Sequence, residues 1–163
     1  PYSKLFLAEL DEVITAWFGD LYRQFPKQTA GTHYWSLSWI PTEMRSQTAG
    51  DINDDMKMLS WGKRLLAYLT QAVPQDVALA ETSDDSLFAT IAHLCADESL
   101  GFISVWSPTF ALGAMEQMSR WRLELADCLS QGQWGERTAR MAGSTCPTSA
   151  RAATCSGTRS CAA

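Results

Sequence analysis

Apolar residues recur along the first 132 positions at two alternating periods. Over residues 4–25, Phe6, Leu10, Ile14, Trp17, Leu21 and Phe25 repeat at three- and four-residue steps. That spacing predicts a helix. Leu7, Val13 and Phe18 widen the stripe, so the helix is expected to be largely buried, and Pro26 closes it. Residues 33–40, HYWSLSWI, alternate. Trp35, Leu37 and Trp39 fall on one face of a strand that Pro41 ends, with Tyr34, Ser36, Ser38 and Ile40 on the other. Residues 41–53 read as a long loop rich in Thr, Ser, Gly and Asn.

A second helix is expected over 54–71, with Asp54 and Asp55 in its first turn, where the helix dipole favours negative charge. A third covers 83–97, with Ser83 as N-cap and Asp84 and Asp85 behind it. Residues 101–106, GFISVW, are short and nearly continuously apolar, the pattern of a buried strand. Ser107 then caps a fourth helix, Pro108 takes its first position and Gly132 closes it. Its stripe is Phe110, Ala114, Met118, Trp121, Leu125 and Cys128. Helix, strand and helix in this order predict an α/β layered fold, helix-rich with a few strands.

After Gly132 the pattern stops. Residues 133–163 contain no Leu, Ile, Val, Phe or Tyr. Charge reverses as well. Residues 1–132 carry 17 acidic and 9 basic side chains, net −8, and residues 133–163 carry 1 and 4, net +3. Two units follow, a folded 1–132 and a disordered C-terminal tail over 133–163. The tail's Ala, Arg, Ser, Thr, Gly and Cys suit out-of-frame translation of a GC-rich gene. A natural flexible tail and a metal site from Cys146, Cys155 and Cys161 are the alternatives.

The whole chain has 163 residues, 46% of them hydrophobic, and a formal net charge of −5. This is the composition of a folding chain. No basic face suggests nucleic acid, and no polybasic patch suggests a membrane surface. No stretch reaches the roughly 20 apolar residues a bilayer span needs, and the opening PYSKLFLAELDE lacks the pattern of a signal peptide. A cytoplasmic chain is expected. The start at Pro1 suggests a natural chain that begins further upstream. The five cysteines form no C-x-x-C pair, and Cys95 and Cys128 are expected to be buried apolar residues.

Chemistry is sparse. There is no dinucleotide or P-loop glycine motif and no G-x-S-x-G elbow. His33 and His93 read as structural. Asp54–Asp55 and Asp84–Asp85 are explained by helix starts, because adjacent helical residues do not face one another.

Three segments in order carry a resemblance. They are Pro1–Tyr2–Ser3 before the long helix, Tyr34–Ser38 followed by Thr48–Asp55, and Ile103–Phe110 leading into a helix with a Trp. Together they resemble the Gretchen Hagen auxin-responsive family of acyl acid amido synthetases, bacterial members more than plant ones, within the adenylate-forming superfamily. The likeness spans about residues 1–134. It implies an internal fragment of the large N-terminal domain. It implies an enzyme that uses ATP and Mg²⁺ to adenylate a carboxylic acid, which an amino acid amine then attacks to form an amide. The family's phosphate-holding Ser/Thr/Gly-rich loop ending in Lys would precede Pro1, and its later nucleotide motifs would follow residue 134. No catalytic residue is therefore expected here, and the chain alone is expected to be inactive, with no cofactor of its own. Thr48, Gly50, Trp17 and Tyr34 would line the acyl-acid pocket. Thr48–Ala49–Gly50 departs from the family's Thr-Gly-Gly. The absence of Arg around Ile14–Trp17 points to an acid unlike those of plant members. The alternative is a small acidic α/β protein-interaction module without catalysis.

Overall fold

The computed structural model describes residues 3–35, 39–45, 61–105 and 107–149. It is mostly helical, with a small parallel sheet of two strands. The order is α1 (Lys4–Gln24), α2 (Pro26–Thr29), β1 (Thr32–Trp35), α3 (Thr42–Arg45), α4 (Trp61–Thr70), a 3₁₀ turn (Gln75–Leu79), α5 (Ser83–Ala96), β2 (Leu100–Ser104), α6 (Pro108–Arg120), α7 (Arg122–Gln131) and a second 3₁₀ turn (Gly135–Arg140). The mixed α/β class expected from the apolar pattern holds.

Local chemistry starts and stops the helices. Ser3 caps α1 by accepting from the Phe6 N–H at 3.1 Å. Ser107 caps α6, with Pro108 at its first position. Gly132 ends α7 at φ +66°, a left-handed geometry that suits glycine. For α5 the cap is Thr82, one residue earlier than the sequence suggested. Its hydroxyl accepts from the Asp85 N–H at 3.1 Å and donates to Asp85 Oδ2 at 2.7 Å. The second bond selects Thr82 over Ser83, because only the residue three before Asp85 can exchange both bonds.

The strands pair in parallel, His33 against Phe102, Tyr34 against Ile103 and Trp35 against Ser104. They are shorter than the apolar runs. Residues 36–38 lie outside the described part. Trp39 and Ile40 bond instead to the Ala78–Ala80 backbone, through Trp39 Nε1 to the Ala80 carbonyl at 2.9 Å and Ile40 N–H to the Ala78 carbonyl at 3.2 Å. Gly101 is required by close approach, since a Cβ there would fall 1.7 Å from the Gln28 carbonyl oxygen.

Alternation along β1 separates two layers. His33 and Trp35 face α1, where they join Trp17, Phe18, Tyr22 and Phe102 in edge-on and tilted ring contacts. Tyr34 enters the main core with Val73, Val77, Phe88, Ile91, Leu125, Leu129, Trp134 and Met141.

Further expectations are corrected besides residues 42–45, which were expected within a loop and form α3. First, α1 is not largely buried. Leu10, Ile14, Phe18 and Leu21 are half-buried, while Leu5, Phe6, Val13, Trp17, Tyr22 and Phe25 are exposed. The reason is geometric: two short strands offer too little surface to cover a 21-residue helix. Second, the single fourth helix is two. Trp121, at φ −90° and ψ 7°, breaks it, so that the indole packs edge-on against Phe88 at 5.5 Å. Third, the C-terminal tail is not disordered over 133–149. Trp134 and Met141 are buried, the Glu81 N–H donates to the Arg140 carbonyl at 2.8 Å, and the Ser149 N–H donates to the Leu129 carbonyl at 3.1 Å. A strap needs no apolar period when two side chains fill holes that other elements have made. Residues 150–163, with Cys155 and Cys161, lie outside the described part. Cys95 is exposed, against expectation, and Cys128 is buried as expected.

Candidate functional site

Of the four residues expected to line an acyl-acid pocket, Thr48 and Gly50 lie outside the described residues. Trp17 sits on α1, 47% exposed, with its ring edge-on to Trp35 at 6.3 Å. Tyr34 is 2% exposed and belongs to the core on the opposite face of β1. The fold therefore does not bring Trp17 and Tyr34 to one cavity.

The most highly organised polar site lies elsewhere, between α5, α7 and the strap. Asp85, in the first turn of α5, is 2% exposed. Arg137 of the strap reaches it with an N–H donating to Oδ1 at 2.7 Å. The same guanidinium forks onto Glu124 of α7, donating from Nε at 2.7 Å and from its other terminal nitrogen at 3.2 Å. This two-point geometry is one that only Arg supplies. Its carbon stands 4.2 Å from the Phe88 ring centre and 5.2 Å from that of Trp121, so both aromatic faces add attraction. Arg140 Nε approaches Asp85 Oδ2 at 3.0 Å as an ion pair, without the alignment of a hydrogen bond.

Electrostatics follow. Burial pushes the Asp85 carboxyl up. The Thr82 hydroxyl, Arg137 and Arg140 outweigh burial and hold it below the ordinary carboxylate value. Burial pulls Arg137 down, and its bonds to Glu124 and Asp85 more than restore it. The cluster is thus charged, paired and closed, a brace rather than a reacting centre.

Beside it is an open hollow of about 190 Å³ lined by Glu124, Asp127, Cys128, Gln131, Trp134 and Glu136 among others. Its Cys128 thiol is pushed up, by burial first and then by the Glu124 carboxylate. That is the wrong direction for a nucleophile. Cys146, which donates weakly to the Cys128 carbonyl at 3.7 Å, is pushed up to about 11 by burial. Among the described residues no group of three or more His, Cys, Asp or Glu could hold a metal ion, and no helix is long and apolar enough to cross a membrane.

Sequence reasoning explained Asp85 by its helix start and missed its partners. The signal was faint: two arginines three apart, Arg137 and Arg140, in a segment without apolar period. No family model, curated protein or solved structure matches the chain.

Proposed function

We propose that this chain is part of the large N-terminal domain of a cytoplasmic, ATP- and Mg²⁺-dependent acyl acid–amino acid ligase, and that it is inactive alone. The order and spacing of Pro1–Tyr2–Ser3, Tyr34–Ser38 with Thr48–Asp55, and Ile103–Phe110 support the family. One structural observation carries the reading of a part rather than a whole. The outward faces of α1, α4 and α6 present large apolar side chains to solvent, including Leu5, Trp17, Trp61, Leu69, Leu112 and Met115. Monomers rarely leave so many large apolar side chains exposed, and such faces mark surfaces that other protein covers. On this reading Trp17, with Thr48 and Gly50, borders the carboxylic acid, and Tyr34 holds β1 from the core side. The amino acid and nucleotide are bound by segments of the parent enzyme.

Sequencing the coding locus on both sides tests the proposal. The expected result is a Ser/Thr/Gly-rich loop ending in Lys encoded just upstream of Pro1, together with no carboxylate-dependent ATP–pyrophosphate exchange by the isolated chain. Flanks without coding potential overturn it. The second reading, a small acidic interaction module, draws on the closed core around Phe88. A sharp, reversible thermal transition from a monodisperse isolated chain would put it first.

A further inference from the structure

Several buried polar atoms have no hydrogen-bond partner among the described residues. Three belong to segments that meet at one end of α5: Asp76 Oδ1 from the first 3₁₀ turn, His93 Nε2 from α5, and Ser144 Oγ from the strap. The strap is placed there by Trp134. Its Nε1–H donates to the Ser144 carbonyl at 2.8 Å, and its ring stands edge-on to His93 at 6.1 Å. The His93 ring bonds to the Thr145 backbone, which leaves Nε2 as its basic nitrogen.

We propose that His93 is a proton-operated catch for the 134–149 strap: it holds the strap while neutral and releases it on protonation. Among the described residues no acceptor lies within hydrogen-bond reach of Nε2, and Asp76 acts on the ring only through space, so an imidazolium here has a buried, unpaired donor that also carries charge, which is unfavourable. The strap can move without unfolding α5, because it is tied by side chains and a few end bonds rather than by a helix or sheet. Its release uncovers Phe88 and Trp121.

The surrounding charges set the direction. Asp76 faces the ring and favours the proton. Arg137 and Arg140 on the strap are held by Asp85 and Glu124. Glu116 and Arg120 of α6 and Asp127 of α7 are exposed. Burial lowers the His93 imidazole from its ordinary 6.5, against the opposing pull of Asp76 and the Thr145 backbone. A group lowered in this way favours the folded, strapped form above 6.5. That stability is lost as pH falls from there through the lower folded value. Asp85 stays ionised over this range, so the ion-pair brace does not confuse the result.

Amide-exchange protection factors on the whole chain, which correct for intrinsic pH dependence, test the catch. Between about pH 7.5 and 5.5, protection over 134–149 should fall progressively as His93 takes up its proton, while α1 stays level. The fall should vanish in His93→Gln and persist in His33→Gln. An unchanged wild type, a fall that survives in His93→Gln, or one lost only in His33→Gln overturns the proposal. Should His93→Gln not fold, the NMR titration of His93 in the wild type decides: a midpoint below 6.5 supports the catch, and one at or above it refutes it.

Discussion

The two sides of this molecule use similar residues to opposite ends. Around α5, Phe88, Ala89, Ile91 and Ala92 are buried in a core that several elements build. Phe88 is fully buried, touched by Trp121, Trp134 and the Arg137 guanidinium. On α4, Trp61 is 80% exposed, and among the described side chains of that helix only Ala67 is buried. α6 buries none of its residues fully. Yet α4 and α6 carry as convincing an apolar stripe as α5. An apolar period says which face of a helix can be covered. Whether it is covered depends on what other elements bring to it. On the α5 side, the strap and α7 bring Trp134, Met141 and a charged brace. On the outer side, the described residues bring nothing comparable.

The contrast can be broken most sharply at Asp85. Asp85→Ala removes the shared anion of two arginines and should cost about 4 kcal/mol in denaturant unfolding, the range for stranding buried charge. A loss near zero would mean that the brace is ornamental. Trp134→Ala should cost about 3 kcal/mol, through the cavity it opens beside Phe88, and proteolysis should then cut the strap first. Acid should reproduce the Asp85 loss in the wild type. The carboxyl is held below its ordinary 3.8, so its contribution is complete above that value and disappears as pH falls through the lower folded one. Wild type and Asp85→Ala should therefore converge in stability at strongly acidic pH. Thr82→Ala removes the α5 cap and should cost about 1 kcal/mol. The smallest effect belongs to the other side: Leu69→Lys on α4 should change stability by no more than about 0.5 kcal/mol, while lowering binding of an apolar dye. A loss well above that would show that α4 is already covered in the isolated chain.

Much of the local structure was legible. Ser107, Pro108 and Gly132 mark helix ends because capping is a matter of a few neighbouring atoms. The strand expected over 101–106 is present as Leu100–Ser104, but it is half-buried rather than buried, with Ile103 exposed. The Thr82 cap was not legible, because its advantage over Ser83 lies in a second bond to Asp85. Of the candidate site residues, Trp17 on the first helix and Tyr34 on the first strand were both large aromatics that could line a pocket or a core. The parity of β1 put Tyr34 in the core, while Trp17, on α1, stays exposed against Trp35 on the other face of the strand.

What the sequence by itself determined was therefore the set of elements, their apolar faces and their ends, all of which depend on interactions across three or four residues. Only the tertiary structure decided which faces close. It split the fourth helix at Trp121 to reach Phe88. It drew residues 134–149 onto the core and joined Asp85 to arginines 52 and 55 positions away. Such contacts leave no period in the chain, because they depend on surfaces that exist only once the other elements have packed.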